Sequence, residues 1–153
     1  MTIIERLRQY KELDPHKIAL IVDDKKYTYG DLYDAILSID INDTSRIVNV
    51  AQTKESPKHI VALIQSQSFV EQLVQWLGVL YTGYIPMVCH NEMDTEYVEE
   101  LARIIAYKVV APLADFGVLT SGTTGRPKPL WRSESSWREF FDIQNDIFHI
   151  NKD

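Results

Sequence analysis

"HIVALIQSQSFVEQLVQWLGVLYTGYIPMV", residues 59–88, changes its hydrophobic rhythm twice. His59–Gln65 is a short β-rich run. Ser68, followed by Glu71, has the spacing of a capping box and predicts the start of a helix. Within that helix Phe69, Val70, Leu73, Val74, Trp76, Leu77 and Leu80 are all apolar. Such a stripe is too wide for a surface helix, so the segment is expected to be buried on more than one side. Gly83 ends it, and "YIPMVC" resumes as a strand. Strand, helix and strand in succession predict an α/β class with a partly parallel sheet flanked by helices.

The same alternation continues outward in both directions. Toward the N-terminus, Ile3, Ile4, Leu7 and Tyr10 fall at helical spacing. "IALIVDDKKYTYGDL" reads as a hairpin: a strand Ile18–Val22, a turn Asp23–Lys26 and a short return strand. Thr28 and Asp31 form a second capping-box pair, predicting a helix from Tyr29 through Leu32 and Ile36 that stops near Asp40–Asp43. Arg46–Ala51 is a strand, separated from His59 by the turn-like "QTKESPK". Toward the C-terminus, Tyr97, Val98, Leu101, Ile104 and Ile105 mark a helix, and "KVVAP" and "FGVLTS" two strands. Trp137, Phe140, Phe141 and Phe148 are expected on one face of a last helix. No repeat, linker or low-complexity tract interrupts the order, so 1–153 reads as part of a single domain, incomplete at its C-terminal end.

Composition narrows the function classes. Hydrophobic residues make up 45% of the 153, a globular proportion. Sixteen Lys and Arg against twenty-two Asp and Glu give −6, without the electrostatic footprint of a nucleic-acid binder. Cys89 is the one cysteine, so no internal disulfide can form. "MTIIERLRQYKE" has no signal-peptide core, and no apolar run approaches the ~18 residues of a membrane span. A cytoplasmic protein is expected. Against the acidic background, Arg126, Lys128, Arg132 and Arg138 face Glu134 alone, which points to an anionic ligand nearby or to a solvated helix face.

That basic stretch adjoins "TSGTTGRPK", residues 120–128. A strand feeding a glycine loop gathers backbone N–H groups into an anion-binding concavity. Ser121, Thr123 and Thr124 add hydroxyl donors, and Lys128 adds a mobile charge. Gly122 and Gly125 are three apart and Pro129 follows the lysine, so a Walker A loop is excluded. An unspecific Ser/Gly-rich turn is the plain alternative.

The nine residues closely resemble the phosphate-binding signature of the AMP-forming adenylating enzymes: acyl- and aryl-CoA synthetases, luciferases and peptide-synthetase adenylation domains. "KYTYGDL" resembles their early Thr-Tyr-x-Glu-Leu element, with Asp31 for Glu, and residues 59–88 resemble the strand–helix–Gly–Val-Pro segment, with Ile85 for Val. The resemblance covers almost the whole chain and is nearest to small acyl-CoA ligase-like proteins.

The resemblance implies a reaction of a carboxylic acid with ATP, giving an acyl adenylate and pyrophosphate, with magnesium sharing the charge and coenzyme A or another thiol accepting the acyl group. It implies Thr120, Ser121, Gly122, Thr123, Thr124, Gly125 and Lys128 as contacts to the ATP phosphates. Arg126 falls at a variable position. Pro129 replaces the glycine usual after Pro-Lys, and Ser133-Glu134 stands where Ser-His is common. The family's adenine-holding Thr-Glu motif, ribose-holding aspartate and adenylation lysine do not occur in this sequence, so no catalytic residue is assigned. The expectation is therefore the N-terminal portion of such a ligase, a truncated chain or one half of a split enzyme, which self-associates or meets a complementary C-terminal portion. A non-catalytic nucleotide- or protein-binding module derived from such an enzyme is the alternative.

Other residues carry plainer readings. Cys89 and His90 are adjacent on an extended strand and point to opposite faces, against a nucleophile–base pair. His16, His59 and His149 lack metal-ligand spacing. Glu92, Asp94, Glu96, Glu99 and Glu100 suit a solvated helix N-terminus. Trp137 is expected to be packed, and Trp131 is as consistent with stacking a ligand base as with packing.

Overall fold

The computed structural model describes residues 1–50, 60–107, 114–120 and 127–149. Helix α1 (Ile3–Leu13) starts from a full capping box between Thr2 and Glu5. Strands β1 (Ile18–Val22) and β2 (Lys25–Thr28) form an antiparallel hairpin. Its turn is shorter than the sequence predicts: Asp23 and Asp24 alone take it, at φ 48° and 61°, and Lys25 and Lys26 belong to β2. Two consecutive left-handed residues match the right-handed twist of the flanking strands. Helix α2 (Tyr29–Ser38) begins at the Thr28–Asp31 box, as expected, and a short α3 (Ile41–Thr44) follows it.

The main sheet then forms. β3 (Ser45–Asn49), β4 (Ile60–Ile64), β5 (Ile85–Val88), β6 (Phe116–Leu119) and β7 (Pro129–Arg132) lie in that order. The β4–β5 and β5–β6 pairs are parallel, while β3 and β7 pair antiparallel at the two ends. The "KVVAP" strand and the "QTKESPK" turn lie outside the described residues. β7 was not foreseen. A sequence with a proline and an arginine in four positions carries a weak strand signal, and pairing with β6 orders it.

Helices cover both faces. Helix α4 (Phe69–Tyr81) packs on α2, α3 and α1 on one side and on β5 and β4 on the other, as its wide stripe predicts, although Phe69 at its start stays exposed and Leu77 is the one stripe residue fully buried. Only half of its predicted capping box forms: Ser68 Oγ accepts from Glu71 N–H, but the Glu71 carboxylate takes the Ser66 hydroxyl at 2.6 Å. Its far end is closed by Gly83 at φ 80°, with Gly83 N–H on Leu80 C=O and Tyr84 N–H on Val79 C=O, a Schellman arrangement that turns the chain into β5. Helix α5 (Thr95–Tyr107) covers the opposite face. Val61, Leu63, Ile85 and Met87 point to α5 with Val98, Leu101 and Ile105, while Ala62 and Ile64 point to α3 and α4 with Ile41 and Val79. β4 is buried on both sides, as a parallel strand should be.

The last segment departs from expectation. Two short helices, α6 (Glu134–Arg138) and α7 (Phe141–Phe148), replace a single one, with the break at Glu139–Phe140. Trp137 therefore sits on a different helix from Phe141 and Phe148, and none of these aromatics is buried.

Candidate functional site

Three parallel strands end on one side of the sheet, and ligands of open α/β sheets bind beyond such carboxyl ends. Here the ends of β4, β5 and β6 open into a cleft of about 760 Å³. Its apolar walls include Phe69, Trp76, Val88, Phe116 and Trp137, its polar rim includes Gln67, His90 and Asn91, and Thr120 and Pro127 stand at one edge. Phe116 is the centre of an aromatic rung. Trp76 meets it edge-on at 5.5 Å and Trp137 at 5.7 Å.

The sequence before the cleft explains its shape. Gln65 donates its side-chain N–H groups to the carbonyls of His90 (3.0 Å) and Met93 (2.8 Å), fixing the turn after β5. Cys89 N–H donates to Ile64 C=O at 2.8 Å. Its side chain is fully buried, and desolvation pushes the thiol up to about 11, so it is no nucleophile at neutral pH. His90 is exposed, and its Nδ1 accepts from Glu92 N–H. Gly117 lets β6 lie close under its neighbours: a Cβ there would push the Met87 methyl aside and meet the Trp131 ring at 3.0 Å.

The loop's two ends stand beside the cleft. Thr120 N–H donates to Lys128 C=O at 3.0 Å, and Lys128 N–H donates to Thr120 Oγ1 at 2.9 Å. These bonds extend the β6–β7 ladder by one step and close the base of the loop. Thr120 has thereby spent its N–H, while its hydroxyl, acting as acceptor, keeps its own hydrogen to donate. Lys128 is exposed, and among the described residues no carboxylate pairs with its Nζ. Ser121, Gly122, Thr123, Thr124 and Gly125 lie outside the described residues, as does Arg126.

One contact here was not foreseen. Tyr97, buried on α5, donates its hydroxyl to Pro127 C=O at 2.6 Å. The sequence shows Tyr97 only as part of an apolar helix face, and a bond spanning thirty positions leaves no local signal.

Among the described residues the basic stretch does not converge. Arg132 lies four strand residues beyond Lys128, ~13 Å along β7. Arg138 donates to the Met1 carbonyl at 2.8 Å. Of the two readings open for Trp131, the structure takes packing against the α5-side core, while Trp137, expected to be packed, is 53% exposed on the cleft wall. Of the acidic group, Asp94 accepts the N–H groups of Tyr97 and Val98 at the start of α5, and Glu99 pairs with Arg46 at 2.9 Å. Among the described residues no cluster of His, Cys, Asp and Glu forms a metal site, and His59 lies outside them. No helix among them is long and apolar enough to cross a membrane.

This architecture is that of the N-terminal part of adenylating enzymes. The o-succinylbenzoate CoA synthetase (MenE) of Bacillus subtilis, solved with its acyl-adenylate intermediate, superposes with a TM-score of 0.64 over 99% of this chain and 47% of that chain, at 15% identity. The N-terminal subdomain of NpsA from Klebsiella oxytoca, in complex with 3-hydroxybenzoyl-AMSN, gives 0.53 over 85% of this chain and 40% of that one, at 17% identity. Sequence likeness points the same way. Proteins named long chain fatty acid-CoA ligase (VraA) are 24% identical in Staphylococcus aureus strain COL, over 98% of this chain, and 27% identical in Staphylococcus haemolyticus, over 99%. The chain spans 36% of the length of either relative. No protein-family model matches it. In sequence and in fold, the chain resembles the N-terminal portion of an AMP-forming ligase.

Proposed function

We propose that this chain is the N-terminal portion of an AMP-forming acid–thiol ligase and contributes the grip on the ATP phosphates. The observation that carries the reading is the clamp between Thr120 and Lys128, at the carboxyl end of β6, beside an ammonium that no carboxylate among the described residues pairs with. A phosphate group needs donors that are held in place and not already satisfied. The clamp fixes the backbone of both residues, and among the described residues the Thr120 hydroxyl hydrogen and the Lys128 ammonium remain to donate; the resemblance adds Ser121, Gly122, Thr123, Thr124 and Gly125. ATP, when bound, supplies the α-phosphorus that a carboxylate attacks and the pyrophosphate that leaves. The chain's own part is to bind and orient the outer phosphates and to stabilise the charge growing on them. Magnesium would share that charge, and no step rests on it. Acid, coenzyme A or another thiol, and the adenine contacts belong to the completed enzyme. The setting we propose is cytoplasmic.

Pyrophosphate exchange with a panel of carboxylic acids tests the reading. The chain alone is expected to show none. Joined to a complementary C-terminal portion, in cis or as a second chain, it should show acid-dependent exchange that Lys128→Ala lowers by roughly 10²–10³-fold. Arg126→Ala should cost little. Equal effects of the two changes in a folded, completed enzyme would favour the non-catalytic module, for which the glutamate at position 134 is the supporting departure.

A further inference from the structure

Lys128 is held more tightly than an exposed lysine needs to be. The peptide plane joining Pro127 and Lys128 is gripped on both edges: its carbonyl by Tyr97 Oη at 2.6 Å, and its N–H by Thr120 Oγ1 at 2.9 Å. The next plane is held through Lys128 C=O on Thr120 N–H, and Pro129 biases the lysine toward extended backbone. Thr120 reaches across the hairpin, whereas Tyr97 comes from α5 on the opposite side of the loop limb. Tyr97 is 8% exposed, so its ring is fixed by the core.

We infer that Tyr97 is a positioning residue for Lys128: its hydroxyl sets the orientation of the 127–128 peptide and so aims the lysine at a bound polyphosphate. The inference rests on the phosphate-grip reading and deepens it. A side chain that turns about a fixed Cα loses less freedom on binding than one carried on a swinging backbone. The departure at Pro129 then has a use, because it stiffens the lysine from the other side.

Two measurements on the whole chain test this. The first needs no ligand: amide hydrogen exchange of wild type and Tyr97→Phe. Removing one hydroxyl should speed exchange at the Lys128 amide by about tenfold, on the scale of one lost hydrogen bond, while the α5 amides stay protected. Unchanged Lys128 protection overturns the inference. The second is calorimetric titration with inorganic tripolyphosphate of wild type, Tyr97→Phe, Lys128→Ala and the double variant. Tyr97→Phe should weaken binding by about three- to tenfold in the wild-type background and have no further effect when Lys128 is gone. Equal losses in both backgrounds mean that Tyr97 is merely structural, and overturn the inference while leaving the grip intact. A wild-type chain that binds no tripolyphosphate overturns the grip itself, and the role of Tyr97 with it.

Discussion

At the scale of single residues, Cys89 shows how burial decides chemistry. Its position beside His90 looks reactive on paper, yet the thiol is enclosed among Ile85, Met87 and the α5 side chains. Burial raises its pKa from an ordinary 9.0 to about 11, which favours the neutral form in the folded state. The contribution to stability is therefore full below pH 9 and is lost as pH rises from there through about 11, where the unfolded chain ionises first. Denaturant midpoints measured from pH 8 to 11 should fall more steeply for wild type than for Cys89→Ala, and alkylation of the native thiol at pH 8 should be slow until denaturant is added. Rapid labelling of the folded protein would contradict the burial. The tryptophans teach the complementary lesson. Composition cannot say which indole is wet, because the outcome depends on the strand β7, whose alternation puts Trp131 inward and leaves Leu130 exposed.

At the scale of elements, the helix starts are the most legible part of the sequence, because a cap is a local contract between a few residues. Thr28 and Asp31 fulfil theirs in both directions: Asp31 N–H donates to Thr28 Oγ1, and Thr28 N–H donates to Asp31 Oδ2 at 2.9 Å. That backbone bond, followed by the Thr28 hydroxyl, holds the Asp31 carboxyl below its ordinary range. Its benefit is present above pH 3.8 and disappears as pH falls through the lowered value. Thr28→Ala should cost about 1 kcal/mol of unfolding free energy, since α2 packs directly on α4. Thr2→Ala removes the equivalent box from α1, which buries no residue fully, and should fray that helix with a smaller global loss. Chemical denaturation of the two variants compares them; equal losses would mean that α1 is as integral as α2. The less legible elements are those ordered by distant partners. β7 exists through its ladder with β6, the α6–α7 break follows no glycine or proline, and half of the Ser68 box is diverted because Ser66 stands closer to the Glu71 carboxylate.

At the scale of the molecule, the two sides of the sheet differ in how fully they are covered. The α5 side closes over a continuous core, whereas the α6–α7 end shows Trp137, Phe140, Phe141, Ile143, Ile147 and Phe148, each between 45% and 69% exposed. An apolar face of that kind is rare on a monomer, and β7 adds a sheet edge among the described residues. In the absence of a complementary portion, we predict that a second copy covers it. Light scattering should report a mass that rises with concentration and falls toward the monomer when Phe141 and Phe148 are both replaced by Ser. A clean monomer at high concentration would refute this. The α/β class and the parallel centre of the sheet were readable from residues 59–88, because adjacent strands and their crossover helix are written consecutively. Which surface stays open was not, since exposure is a property of everything that fails to arrive there.

The aromatic rung at the cleft has a consequence for how the molecule can be watched. Two of its three tryptophans, Trp76 and Trp137, stand edge-on to one phenylalanine at the cleft wall, and the third lies on the opposite face of the sheet. The intrinsic emission of the chain is thus weighted toward the water in that cleft. A molecule that displaces this water from around the two indoles is expected to shift the ultraviolet emission, without a dye or a label.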